Sequence, residues 1–147
     1  MKAAAALVIG VVVVLLGLAA WVLISLDRSI LFEEPRFKAE LTSPPPEKVS
    51  PGDAFEVAVQ VLNQGGGYVK DIYIRLEMPE GFASKVTGSN TRTVGPDSLS
   101  PHDGFGQGFV VIVSKNVAPR SYAMRIVVTA DNISPHTIPL EVEVVRD

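Results

Sequence analysis

The sequence predicts an all-β sandwich of seven or eight strands preceded by one transmembrane α-helix. Three observations carry this reading. The run from Ala3 to Leu26 contains no charged residue. Beyond Asp27, apolar residues recur at every second position in segment after segment, the side-chain period of a strand with one face on a core. Clusters of Pro, Gly, Asn and Asp separate those segments at roughly even spacing, and nothing after the first run carries a helical period.

The uncharged run comes first. A bilayer core takes about 20 apolar residues as a helix, because lipid offers no partner to an open backbone. The Val11-Val12-Val13-Val14 stretch does not argue for a strand, since a lone strand in lipid leaves its N–H and C=O groups unpaired. A cleaved signal has an apolar core of about 7–15 residues before a small-residue site. Gly17-Leu18-Ala19 could serve as that site, but Trp21-Val22-Leu23-Ile24 extends the run beyond it, which favours a retained anchor. A pilin-type cut after Lys2-Ala3 would also leave the helix in place. Lys2 and the terminal amine precede the run, so a cytoplasmic N-terminus and an extracytoplasmic C-terminal domain are expected. Trp21 then falls at the outer headgroups. Ala6, Gly10 and Gly17 are candidate helix–helix contacts, small residues that let two backbones approach. The predicted organisation is an anchor over 1–28, a juxtamembrane stretch with the first strand and a Pro-rich connector over 29–48, and the rest of the sandwich over 49–147.

The strands follow in order. Arg36 to Leu41 alternates apolar and charged residues and suits an edge strand. Pro44-Pro45-Pro46 forces extended backbone and reads as a stiff connector. Ser50-Pro51-Gly52-Asp53 is a turn. Ala54 to Asn63 then sets Phe55, Val57, Val59 and Val61 on one face. Asn63 to Gly67 is a loop; its glycines lack the Lys-Ser/Thr and the helix that phosphate binding requires. Tyr68 to Met78 directs Ile72, Ile74, Leu76 and Met78 inward and Asp71, Tyr73, Arg75 and Glu77 outward. Phe82 is expected to plug the sandwich. Ser84 to Thr93 suggests one or two short strands, and Pro96 to Gly104 a turn-rich link. Phe105 to Val113 is a strand, Asn116 to Arg120 a turn, and Tyr122 to Ala130 a strand. Asp131 to His136 reads as a turn, and Leu140, Val142 and Val144 mark the last strand. Short strands at this spacing describe an immunoglobulin-like β-sandwich.

Composition narrows the function. The 147 residues carry a net charge of −3. Lys2 is the one basic residue before the domain, so 12 basic and 16 acidic residues follow it, a net of −4. That mild acidity excludes the basic footprint of a nucleic-acid binder. There is no cysteine, which removes disulfides, thiolate nucleophiles and the His₂Cys ligation of a copper electron-transfer subunit.

The Ser50-Pro51-Gly52-Asp53 turn leading into Ala54–Leu62 and Asn63-Gln64-Gly65 resembles the opening of the CARDB and NEW3-type cell-surface modules. Leu76-Glu77-Met78-Pro79-Glu80-Gly81-Phe82 is similar to their strand-Pro-x-Gly-aromatic element. Leu99-Ser100-Pro101-His102-Asp103 before Phe109–Val113 resembles their second turn and strand, and Ala118-Pro119-Arg120-Ser121-Tyr122 their Ala-Pro-Gly-x-Tyr step. The resemblance runs from about Val49 to Val145. His102 and Arg120 depart from it where glycine is usual, and Ser84–Thr93 matches no part of it. It implies an immunoglobulin-like fold, a surface location and non-enzymatic adhesion or scaffolding, with no catalytic residues and no cofactor. A sandwich behind a membrane helix also resembles the archaellum stator proteins, which grip the surface layer, although the acidic residue usual near the start of a pilin-type helix is missing.

The side chains offer little chemistry. The two histidines, His102 and His136, both fall in Pro-flanked loops, and two imidazoles with Asp103 or Asp131 fall short of a zinc site. Ser134, His136 and Asp131 lack the surroundings of a catalytic triad. Asn132-Ile133-Ser134 is a candidate glycosylation site, with Pro135 directly after it. The expected function is non-enzymatic: a membrane-anchored binding or scaffolding domain, an accessory subunit of an envelope or membrane complex. The alternatives are a stator-like or pilin-like protein gripping the surface layer, and a stabilising subunit of a membrane enzyme. Expected partners are lipid through residues 3–26 and a protein, or a glycan, through Tyr68, Tyr73, Arg75, His102 and Phe105. These lie on an outward strand face and in the 65–68 and 102–105 loops.

Overall fold

The computed structural model of the chain describes residues 36–131 and 133–146. The proposed anchor with Ala6, Gly10 and Gly17, the juxtamembrane stretch, and Asn132 lie outside the described residues. Among the described residues no helix is long and apolar enough to cross a membrane.

The described residues form nine strands: β1 (Phe37–Ser43), β2 (Lys48–Val49), β3 (Ala54–Asn63), β4 (Val69–Glu77), β5 (Phe82–Ser84), β6 (Thr91–Leu99), β7 (Gly104–Val113), β8 (Arg120–Ala130) and β9 (Ile133–Val144). They make a four-stranded sheet in the order β1-β3-β7-β5 and a five-stranded sheet in the order β2-β9-β8-β4-β6. Every pairing is antiparallel except β2 with β9. The alternation read from the sequence builds the core. Phe55, Val57, Val59 and Val61 of β3 pack with Ile72, Ile74 and Leu76 of β4, Phe109, Val111 and Val113 of β7, and Tyr122, Met124, Ile126 and Val128 of β8.

Three expectations are corrected. The count is nine rather than seven or eight, because the Pro-rich connector leads into the two-residue β2, which pairs with the end of β9. Pro96 to Leu99 is not a link but the second half of β6, at the edge of the five-stranded sheet. An edge strand tolerates proline, whose missing N–H costs no ladder bond there. Ser134-Pro135-His136 is not a turn but the start of β9, with His136 opposite Val128. One further irregularity has no trace in the alternation. Val69 and Ile72 are both buried although three apart, because the ladder shifts register between them and Asp71 adopts φ 51°. Aspartate is among the few residues that accept this region readily.

The β7–β8 corner is fastened by Tyr122, near the start of β8. Its hydroxyl donates to the Ala118 carbonyl oxygen at 2.9 Å, its ring meets Phe82 with centroids 5.0 Å apart, and the Arg120 guanidinium lies 4.8 Å above it. This is the tyrosine corner of immunoglobulin-like sandwiches. Tyr122→Phe is expected to cost about 1–2 kcal/mol by orphaning a part-buried carbonyl, read as a lower midpoint with an unchanged slope in urea denaturation.

Candidate functional site

The outward face of β4 is set by what its inward face buries. Ile72, Ile74 and Leu76 are fully inside, so strand geometry turns Tyr73, Arg75 and Glu77 to the outside of the five-stranded sheet. Tyr73 stands opposite Thr129 of β8, and on its other side lies Gly95 of β6. A Cβ at Gly95 would strike the Ile72 carbonyl oxygen and lie 3.2 Å from the Tyr73 ring. Gly95 also has φ 122°, a region open in practice to glycine alone. The ring therefore lies over a position of β6 that has no side chain, and it is 39% exposed.

Arg75 is the next outward residue, opposite Val127 of β8 and Thr93 of β6. Its Nε donates to Glu77 at 2.8 Å, and Arg125 of β8 donates to the other Glu77 oxygen. The Arg125 hydrogen bond, with the charges of Arg125 and Arg75, holds the Glu77 carboxyl below its ordinary value against the opposing effect of partial burial. A lowered carboxylate contributes stability above its unfolded pKa, lost as pH falls through the folded one; for so exposed a pair the effect is small. In a carbon-detected NMR titration the Glu77 carboxyl is expected to titrate lower in the native chain than in Arg125→Gln.

Val127 points outward between Arg75 and Thr137 and is nevertheless only 8% exposed. The middle of this face is therefore an apolar residue with Arg75 on one side and Thr137 on the other. Glu77, Met78, Pro79, Ala123, Met124 and Arg125 line a hollow of ≈ 280 Å³ beside it. Towards β2, a second hollow of ≈ 300 Å³ is lined by Glu47, Ser121, Glu141, Val142 and Glu143. The face is thus cationic and aromatic over β4 and β8 and acidic along β9.

The remaining candidates sit elsewhere. Tyr68 is 66% exposed in the β3–β4 loop, and His102 is exposed in the β6–β7 turn with φ 61°. Phe105, expected at the start of a strand and at the margin of the 102–105 loop, lies in β7, half-buried against the core, with Gly104 and Gly106 in the outward positions on either side of it. Asn63 ties the two loops together. Its amide nitrogen donates to the carbonyl oxygens of Gly67 at 2.7 Å and Ser100 at 3.0 Å, and its carbonyl oxygen accepts from Gly65 N at 3.1 Å. So Tyr68 and His102 share one end of the sandwich, while Tyr73 and Arg75 share the sheet face. Sequence reasoning missed Asn63 as a structural tie, although its place between a strand and three glycines was a signal.

His136 lies on β9 rather than in a loop. Asp53 and Asp103 serve their own turns, accepting from Ser50 N and Gly104 N, each at 2.8 Å. Among the described residues no three His, Asp or Glu side chains gather as a metal site requires. What this face presents is an exposed aromatic ring beside an ion-paired guanidinium.

No family model and no curated protein matches the sequence. Solved structures do match the fold. The CARDB domain of the PF1109 protein from Pyrococcus furiosus, determined in complex with di-metal ions, is 22% identical over 79% of this chain and 98% of its own, with a TM-score of 0.55. A Salmonella alpha-2-macroglobulin is 14% identical with a TM-score of 0.57, over 74% of this chain and 7% of that one. A family 123 glycoside hydrolase from Clostridium perfringens is 11% identical with a TM-score of 0.56, over 75% of this chain and 27% of that one. This chain therefore spans only a small part of the two larger proteins and nearly all of the CARDB domain. By fold, the described residues are an immunoglobulin-like sandwich similar to a CARDB domain.

Proposed function

We propose that the chain is a non-enzymatic, membrane-anchored domain on the extracytoplasmic side, an accessory subunit that meets a protein partner through the outer face of its five-stranded sheet. The observation that supports this most is the pairing of Tyr73, laid along Gly95, with Arg75, held by Glu77. Aromatic and arginine side chains dominate binding energy at protein interfaces, and ordering them before contact lowers the entropy lost on binding. Val127, opposite Arg75 on β8, supplies an apolar centre beside them. The uncharged Ala3–Leu26 run supports the anchor.

The test is capture from gently solubilised membranes with the full chain, read by mass spectrometry. The native chain is expected to retain a defined partner, and Tyr73→Ala with Arg75→Ala to weaken retention at least about tenfold, the equivalent of 1.4 kcal/mol. Glu143→Ala, at the far margin of the face, is expected to leave it unchanged. Equal retention by all three would refute the assignment of the face. A surface-layer or filament protein as partner supports adhesion; a transporter, oxidase or protease supports a stabilising subunit. Catalysis by residues 36–147 alone would refute the non-enzymatic reading.

A further inference from the structure

The sheet edges of this sandwich are not equally protected. Exposed edges invite pairing with another chain, and proteins blunt them with charge, proline or brevity. The outer edge of β1 carries Lys38 and Glu40, which pair with each other. The edge at β2 is two residues long and follows Pro44-Pro45-Pro46. The edge at β6 carries Arg92, Pro96 and Asp97. The fourth edge differs. β5 pairs with β7 only from Val111 to Val113, and Lys85 N extends the pairing to the Val110 carbonyl oxygen at 2.9 Å. From Gly104 to Phe109, β7 has no strand on its side away from β3 among the described residues, and it carries neither charge nor proline there.

The ladder fixes which backbone groups face this gap. Val113 N bonds to Asp53 O and Asn63 N to Asp103 O, so the odd-numbered residues of β7 pair with β3. Antiparallel geometry then turns the groups of Gly104, Gly106 and Gly108 outward. Two of these are already used: Gly104 N donates to Asp103 Oδ1 at 2.8 Å, and Gly108 O accepts from Gln107 Nε2 at 2.7 Å. What remains is the Gly104 carbonyl, both groups of Gly106 and the Gly108 N–H.

This remainder is self-complementary. A second copy laid antiparallel about Gly106 matches each Gly106 with its twin and each Gly108 N–H with the Gly104 carbonyl of the other chain. The same operation carries the partner's Asp103 to Lys85, which closes the far end of the gap, so opposite charges meet twice. The small residues on the outward side present no obstacle. We propose that two copies of this chain associate by antiparallel pairing of their β7 edges about Gly106, joining the two four-stranded sheets into one. The short contact belongs to the weak, transient class of interfaces. It does not depend on the function assigned to the outer face of the other sheet.

The chain's lack of cysteine makes the register testable. Opposed residues in a hydrogen-bonded antiparallel pair have Cα atoms about 5.5 Å apart, inside the disulfide range of about 4.4–6.8 Å. A Cβ at Gly106 meets nothing nearer than Val59 O at 3.9 Å, so Gly106→Cys fits the fold. The Gly106→Cys chain, under mild oxidation, is expected to form a disulfide-linked homodimer at least about tenfold faster than Thr42→Cys on the β1 edge. Adding Lys85→Asp is expected to slow the linking several-fold. Equal or absent linking in both single variants, an unchanged rate with Lys85→Asp, or linking of Gly106→Cys only to a different protein would each overturn the proposal.

Discussion

Phe82→Ala is expected to lower the unfolding free energy by about 3–5 kcal/mol, the range for emptying an aromatic from a packed core. Phe82 is 2% exposed and lies against the Tyr122 ring. It occupies β5, a strand of three residues, so little backbone pairing holds the segment once the ring is gone. The loss therefore combines a cavity, a lost aromatic contact and a loosened β5. Urea denaturation of a chain beginning at Pro35, the first residue of the compact unit, followed by far-UV circular dichroism, measures it. A cost below about 1.5 kcal/mol would show that the site collapses around the cavity and that Phe82 does not plug the sandwich. Because the N–H groups of Ile112 and Ser114 face the β5 side of β7, Phe82→Ala is also expected to increase hydrogen exchange at these two residues before it does so in β8.

Asn63→Ala is expected to cost about 2–4 kcal/mol, more than its small volume suggests. The side chain is 1% exposed, and its removal leaves the Gly67 and Ser100 carbonyls and the Gly65 N–H without these partners. Orphaning buried polar groups costs about 1–3 kcal/mol each, reduced where water can enter. Asn63→Asp separates the roles. The carboxylate can still accept from Gly65 N but cannot donate to the two carbonyls, so most of the loss is expected to persist. A near-neutral Asn63→Ala would mean that the two loops are held by their backbones alone.

The strands with strict period two were legible from residues alone. β3, β4 beyond Ile72, β8 and the end of β9 each bury one row and expose the other, and one row of apolar side chains suffices to specify that. The outward position of Tyr73 and Arg75 followed from the same alternation. The misread segments are those where alternation is absent. Thr91 to Leu99 is a strand because β4 supplies its partner, not because its own residues favour one. Ser134-Pro135-His136 is a strand because β8 is long enough to pair with it. Phe105 starts a strand as expected, but its half-buried ring was not legible, because the glycines around it leave no alternation to show which way it points.

Composition and periodicity by themselves determined the all-β class of the described residues and the inward and outward rows of the long strands. Only the tertiary structure decided what stands beside what: Gly95 beneath Tyr73, Arg125 on Glu77, Asn63 between two loops, and β7 with half its edge bare. The reason is physical. Burial is a property of a residue and its near neighbours in sequence, so it leaves a periodic mark. Hydrogen-bond partners and sheet edges depend on segments far apart in the chain, and no local pattern encodes them.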